Sequence, residues 1–174
     1  MSVLVHGNDE NFAAWAARQI EICEHGFGPC RTLAIATGYE ATDQLLAVAV
    51  YHDYSPMFQT VALSIAHHPT AGARWCTRGN IHAILAVPFE RYRVRKVWTI
   101  FDIKNKAAEG LRELVGFTIE GRLRHQFGPK RHAVITGMTA EEYFASWGRD
   151  KPAPASRRKI TQAAHVPSGQ LHAG

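Results

Sequence analysis

The sequence predicts a single α/β domain in which one mixed β-sheet is covered by helices on both faces. Segments with helical apolar spacing alternate along the chain with short strand-like runs. In the middle of the chain a strand, a helix and another strand follow one another, which favours a parallel pair joined by a right-handed crossover. Short turns join strands on either side of this unit, which predicts antiparallel hairpins and therefore a mixed sheet.

The first helix is predicted over residues 8–26. Asn8 or Asp9 is suited to its N-cap, and acidic residues fill its first turn. A glycine-rich segment with Pro29 is suited to end it. Apolar residues recur at spacings of three and four and predict a face that packs on the sheet, its members being Phe12, Trp15, Ala16, Ile20 and Cys23.

Three strands are predicted next, over residues 31–37, 44–54 and 57–69. A turn that contains Gly38 joins the first two, and a proline ends the third. The middle of the third strand is small and mostly apolar. This composition is typical of a strand that is covered on both faces.

The second half of the chain alternates helices with strands. Pro88 removes a backbone donor near the end of the first of these helices and is expected to kink it. Asn105 is suited to cap the next helix, and Gly116 is suited to end it in a left-handed conformation. The predicted elements are a helix over 80–92, a strand over 94–103, a helix over 105–114, strands over 117–127 and 132–138, and a short helix over 139–147.

The net charge of +5 is concentrated at the C-terminal end. From Arg149 onward there are five basic residues and one acidic residue, whereas the rest of the chain has 15 basic and 14 acidic residues. We therefore predict a globular domain over 1–147 and a basic, Pro- and Ala-containing tail over 148–174, disordered unless bound. Such a tail is either a solvated solubility element or a docking arm. A protein partner of residues 149–174 is favoured over nucleic acid, because no nucleic-acid-reading motif accompanies them.

The cysteines and the apolar runs indicate the compartment. Cys23, Cys30 and Cys76 are odd in number and form no CxxC pair, which favours a reducing environment over a disulfide framework. The N-terminus has no secretory pattern, and no apolar run approaches the length of a membrane span. We expect a cytoplasmic protein without a membrane segment.

The run NKAAEGLRELVGFTIEGRLR, followed by RHAVITGMTAEEY, resembles the C-terminal half of the GCN5-related N-acetyltransferases, the GNAT family. It resembles in particular the branch that acetylates protein N-termini in bacteria, and short members that bacteriophages encode. The element order matches that fold over residues 8–147. The positions in step with the family pattern are Asn105, Leu111, Gly116, Phe117, Glu120, Gly121, Arg124, Gly137 and Met138.

This resemblance implies a three-layer α/β/α fold around a central, mixed, partly splayed sheet. It further implies an N-acyltransferase that moves acetyl from acetyl-CoA to a primary amine, on a protein N-terminus or a small molecule, by direct attack. In the family the pantetheine arm lies between two splayed strands, here over residues 60–66 and 97–103. The implied cofactor-binding residues are Leu63, Ser64 and Ile65 on the first strand, Arg74, Trp75, Cys76, Thr77, Arg78, Gly79 and Asn80 around the pyrophosphate, and Asn105 near the thiol.

The sequence departs from the family pattern in the phosphate loop, where the alternative register puts Cys76 at the family's Gln or Arg, and in the helix after Asn105, where Ala108 replaces a frequent serine. In one register Trp75 stands where the family has a glycine that lets the phosphate approach, and Arg112 stands where many members have a proton-donating tyrosine. The candidate bases near strand ends are Asp53, Ser64, His67 and His68.

These departures leave an alternative open. The chain is then a catalytically degenerate GNAT-fold protein, such as a phage virion or interaction protein that docks through its tail.

No metal site is predicted. His67, His68, Cys76 and His82 lack the close spacing of structural zinc ligands. Nearby arginines would favour a Cys76 thiolate, but no suitable order of His and Asp supports a cysteine nucleophile.

Overall fold

The computed structural model of the chain describes residues 2–23, 25–39 and 44–148. The predicted tail from residue 149 onward lies outside the described residues, so the predicted domain boundary stays a prediction. Within the described part the strands are β1 (Val3–Val5), β2 (Arg31–Ala36), β3 (Leu45–Ser55), β4 (Thr60–His67), β5 (Lys96–Asp102), β6 (Thr118–Leu123) and β7 (Ala133–Thr139). The α-helices there are α1 (Asp9–Gln19), α2 (Arg78–Ala86), α3 (Lys106–Val115) and α4 (Ala140–Ser146), with 3₁₀ turns at Glu21–Cys23 and Pro69–Ala71.

The strands form one sheet in the order β1-β2-β3-β4-β5-β7-β6. Only β4 and β5 pair in parallel; the other neighbours in this sheet are antiparallel. The parallel pair follows from the crossover through α2, and β7 lies between β5 and β6. The predicted mixed sheet is therefore confirmed.

The parallel pair separates after three residues. Ladder pairing joins Thr60 to Lys96, Val61 to Val97 and Ala62 to Trp98, and then stops. On their other sides both strands stay paired to their ends, β4 with β3 and β5 with β7. The predicted splay of the two central strands is confirmed, and it leaves their facing backbone edges unpaired with each other.

Two apolar layers lie on opposite faces of the sheet, because successive side chains of a strand point to opposite sides. On one face, Leu33 and Ile35 of β2 pack in a core with Ile81 and Leu85 of α2. On the other face, α1 packs against Ala34, Val48, Val50 and Ala66 through Phe12, Ala16 and Ala17. Helices thus cover both faces, as predicted.

Pro88 disturbs the end of α2 in a specific way. An α-helix would bond the carbonyl of Ile84 to the N–H of residue 88, which proline lacks. The buried hydroxyl of Tyr51 donates to that carbonyl instead, at 2.8 Å. The chain continues as a π-helical turn over Val87–Arg91. A side chain of the sheet therefore replaces the donor that the helix has lost.

The local predictions around α3 are confirmed. Asn105 accepts a bond from the N–H of Ala108 at 3.0 Å, and Gly116 ends the helix with φ +89°. Among the described helices none is long and apolar enough to cross a membrane.

Several details of the predicted elements were wrong. The first helix ends at Gln19 instead of residue 26, because Ile20 is extended and Glu21 turns toward an ion pair with Arg131. Strand β1 was missed, since three residues are too few for a period to show. Strand β6 ends at Leu123 instead of residue 127, because a turn begins directly after Leu123.

Candidate active site

A cleft of about 470 Å³ opens where β4 and β5 diverge. Its walls are the unpaired halves of these two strands, and side chains of α2 and α3 such as Leu85 and Leu111 line it from one side. Glu21 after α1 and Arg131 before β7 line it as well. The cleft is mainly apolar, with a small number of polar groups, as small-molecule sites usually are.

Five of the predicted catalytic or cofactor-binding candidates line this cleft. They are Leu63, Ser64, Ile65 and His67 on β4 and Asn105 at the start of α3. The first three lie beyond Ala62, the last residue of β4 that pairs with β5, so this stretch of the β4 edge borders the opening. The structure thus brings the β4 candidates and the α3 cap together.

The loop before α2 holds most of the remaining cofactor candidates away from the cleft. Trp75 is only 5% exposed, packs in the core, and lies with its ring centroid 6.0 Å from that of His67. Asn80 is buried and donates to the Trp75 carbonyl at 2.8 Å, while Thr77 caps α2 by accepting from the Asn80 N–H. These side chains shape the loop, and Trp75 turns inward.

Two further members of that loop also have local roles. The guanidinium of Arg74 donates to the carbonyls of Ala71 and Thr70 at 3.1 and 3.0 Å. Burial raises the pKa of the Cys76 thiol, which disfavours the thiolate that a nucleophile needs. Arg74 therefore holds the loop together, and neither Arg74 nor Cys76 lines the cleft.

A second recess lies at the start of α2. Arg78, Gly79, His82 and Trp147 line it, and the Arg78 guanidinium lies 4.9 Å from the Trp147 ring centroid. The Trp147 indole donates to the Val115 carbonyl at 2.9 Å, which fixes the ring. A Cβ added to Gly79 would meet nothing within 4 Å, so its backbone is approachable.

The mouth of the cleft carries a charged bridge that the sequence did not reveal. Arg131 donates to Asp102 at the end of β5 and to Glu21, each at 3.0 Å. Asp102 also accepts from the Lys104 N–H, and this bond, with Arg131, holds the pKa of Asp102 below its usual value. The bonds to Glu21 and Asp102 raise the pKa of Arg131. The only sequence signal was an acidic residue at a strand end.

A hydrogen-bonded chain leads from the cleft into the α1 side of the sheet. The Nε2 atom of His52 lies 3.0 Å from Ser64 Oγ, and its Nδ1 atom lies 3.0 Å from Asp53 Oδ2. Ser64 and Asp53 were predicted as separate candidates, and His52 between them was missed. The other two candidates are not part of this chain: His67 lies at the exposed end of β4, and His68 hydrogen-bonds to Thr70.

Arg112 also lines the cleft, at the position of the family's tyrosine. Its guanidinium donates to the Phe117 carbonyl at 3.0 Å and pairs with Glu109 and Glu113. Because an arginine stays protonated, it does not act as a proton donor here. Its contacts tie α3 to the start of β6.

Comparisons with known proteins agree with this architecture. No family model and no curated protein matches the chain. The fold is similar to the spermidine/spermine N-acetyltransferase SpeG from Vibrio cholerae, in a structure with manganese ions: TM-score 0.66, 14% identity, 83% of this chain and 95% of that chain. For mutant forms of the same enzyme the TM-score is 0.66 at 14% identity, and the match covers 83% of this chain and 98% of that chain. For a single-residue mutant the TM-score is 0.58 at 18% identity, and the match covers 67% of this chain and 67% of that chain.

The fold is that of the GCN5-related N-acetyltransferases.

The GNAT fold expected from the sequence is thus confirmed, while the N-terminal and phage branches stay predictions. One of the similar structures contains manganese. In residues 2–23, 25–39 and 44–148 of this chain, no group of three or more His, Cys, Asp and Glu residues is placed to hold a metal ion.

Proposed function

We propose that this protein transfers acetyl from acetyl-CoA to a primary amine. The observation that supports this most is the cleft between the splayed halves of β4 and β5. An arm that carries amide groups has the donors and acceptors to pair with the open edge of β4 over Leu63 to Ile65, as an added strand would. The apolar walls of the cleft suit the methylene groups of the same arm.

The recess at the start of α2 is suited to the cofactor's diphosphate. A helix N-terminus presents backbone N–H groups and a partial positive charge, and Arg78 adds a full charge. Gly79 leaves room for a close approach. Trp75 does not obstruct it, because its side chain lies in the core.

The charges at the mouth favour a cationic acceptor. Glu21 and Asp102 carry two negative charges against the single positive charge of Arg131. Arg112, which also lines the cleft, is paired with Glu109 and Glu113. A polyamine presents protonated amines that suit such a surface. The similar structures are of an enzyme named for spermidine and spermine, and we propose a small polyamine ahead of a protein N-terminus as the acceptor.

Calorimetry and turnover together test this proposal. Acetyl-CoA is expected to bind with a dissociation constant well below about 1 mM, which corresponds to roughly 4 kcal/mol. Release of the CoA thiol is then followed with spermidine and with a peptide that has a free N-terminus. Absence of binding at millimolar acetyl-CoA would exclude the proposal, and faster turnover of the peptide would exclude the polyamine preference.

One observation favours the alternative of an interaction protein. Met57 and Phe58, at the β3–β4 turn, are 81% and 64% exposed, which suits contact with a partner. The same calorimetry separates the two functions, because a catalytically degenerate interaction protein is not expected to bind acetyl-CoA.

A further inference from the structure

We propose that Ser64, His52 and Asp53 form a relay that removes the proton from the attacking amine. This inference rests on the proposed acetyl transfer and names the groups that activate its acceptor. Ser64 lines the cleft beyond the last paired residue of β4, where an acyl carbonyl and an amine would meet. His52 and Asp53 connect it to the exterior.

The chemistry of the three groups sets the direction in which a proton moves along these hydrogen bonds. A carboxylate only accepts hydrogen bonds, so the Nδ1 atom of His52 carries the proton that it donates to Asp53. In a neutral imidazole the Nε2 atom then has a lone pair, which accepts the hydroxyl proton of Ser64. The oxygen lone pairs of Ser64 are thereby left to accept a proton from a group in the cleft.

The local backbone is built around this arrangement. The pairing of β3 with β4 is irregular between His52 and Ser55, and Asp53 has φ +49°, in the left-handed region. Aspartate tolerates that region better than most residues. This conformation places the carboxylate against the imidazole of the preceding residue. The ring of Phe27 packs at 5.1 Å from the His52 ring and further restricts it.

The increase in exposure from His52 to Asp53 allows the proton to leave to solvent. The side chain of His52 is 15% exposed, whereas that of Asp53 is 64% exposed and in contact with solvent. The Cys23 thiol of the 3₁₀ turn after α1 is a titratable group near Asp53. Burial, and then the charge of Asp53, raise the pKa of Cys23, so the thiol stays protonated and does not compete as a base.

The attacking amine is in its neutral form; its nitrogen forms a bond to the thioester carbonyl carbon, and the carbon–sulfur bond breaks with its electron pair on sulfur. The proton that nitrogen loses goes to Ser64 Oγ, while the hydroxyl proton of Ser64 goes to His52 Nε2. The resulting imidazolium is paired with Asp53 and releases its proton to solvent, and the CoA thiolate takes one up.

The test begins with the wild-type protein and three variants, Ser64→Ala, His52→Gln and Asp53→Asn. General-base removal typically costs about 10²- to 10⁴-fold in rate, and we expect at least about 10²-fold in kcat for the first two. Asp53→Asn keeps a residue that tolerates the left-handed backbone and is expected to lose less. Ser64→Thr, which keeps a hydroxyl, is expected to recover part of the rate. The matched control is His6→Ala, an exposed histidine outside the cleft, which leaves kcat unchanged.

Two readouts separate a relay from a purely structural role. The double variant Ser64→Ala/His52→Gln is expected to be no slower than the slower single variant, because the groups act as one unit. Nitrogen NMR of His52 is expected to show the Nδ1-protonated tautomer in wild type and its loss in Asp53→Asn. The affinity for acetyl-CoA is expected to stay within about twofold, since Ser64 would meet the cofactor's arm through its backbone, which these substitutions keep, and no side chain of the relay holds the cofactor.

The outcomes are distinct. Folded Ser64→Ala with wild-type kcat, or an Nε2-protonated His52 in wild type, overturns the relay while leaving acetyl transfer in place. An acetyl group trapped on Ser64 also overturns it, because the serine would then be a nucleophile. A wild type that binds acetyl-CoA but acetylates no amine, or that does not bind it, overturns the proposed function and the relay together.

Discussion

Tyr51→Phe is expected to destabilise the fold because Tyr51 supplies the donor that Pro88 lacks. The Tyr51 hydroxyl is buried and bonds the Ile84 carbonyl at 2.8 Å. Phenylalanine keeps the ring's packing and removes only this bond. A buried acceptor that loses its partner costs about 1–3 kcal/mol, and we expect a loss of that size in the free energy of unfolding.

Thermal and urea unfolding measure this effect. For a domain of roughly 150 residues each kcal/mol shifts the melting temperature by about 2–4 °C, so the expected decrease is about 2–12 °C. Tyr54→Phe is a matched control, because Tyr54 is 55% exposed and its substitution is expected to change little. Restoring an N–H with Pro88→Ala supplies the Ile84 carbonyl with a second possible donor. The double variant is then expected to lose less than the sum of the single losses, by at least about 0.5 kcal/mol.

Two results would refute this account of the α2 end. One is a Tyr51→Phe protein whose stability lies within about 0.3 kcal/mol of wild type. The other is strict additivity in the double variant. The pH dependence offers a further check: burial raises the pKa of Tyr51 well above 10.0, so its stabilising effect is full below pH 10 and is lost as pH rises further. Tyr51→Phe is expected to lack that alkaline loss.

Three more predictions follow from the site and the caps. Arg78→Ala is expected to weaken acetyl-CoA binding by about 10- to 100-fold in calorimetry, because a charge-assisted bond is lost, while Arg91→Ala, an exposed control, does not. Thr139→Ala removes the capping box of α4 and is expected to cost about 1 kcal/mol in urea unfolding; an unchanged midpoint would contradict the cap's role. The pKa of Asp102 is held below 3.8 in the folded protein, so its contribution to the free energy of unfolding is present above that pH and is lost as the pH falls through the lowered pKa. Asp102→Asn is expected to flatten the acid part of a curve of unfolding free energy against pH. An unaltered curve would argue against the bridge.

Features that depend on near neighbours in the chain were predictable from the sequence. Asn105 and Gly116 mark the ends of α3 because a cap and a left-handed residue act within one helical turn. The splay of β4 and β5 was a different matter. It followed from the family resemblance and not from any local pattern in the two strands.

Features that depend on register or on distant segments were not predictable. His52 and Ser64 meet across two strands whose register is set by an irregularity near Asp53, so no spacing in the sequence shows the pair. Glu21 and Arg131 are 110 residues apart in the chain. The inward direction of Trp75 depends on how the loop before α2 closes.

The three paired positions between β4 and β5 form a short connection between two parts of the sheet, which we call leaves. One leaf is β1 to β4 and the other is β5 to β7, and within each leaf the strands stay paired. Any ligand that bonds both open edges adds the cross-links that the sheet lacks and so resists opening of the leaves. A ligand at 100 times its dissociation constant stabilises the fold by about 2.7 kcal/mol. The free energy of unfolding of this protein in the cell would then rise and fall with the supply of the molecule that fills its cleft.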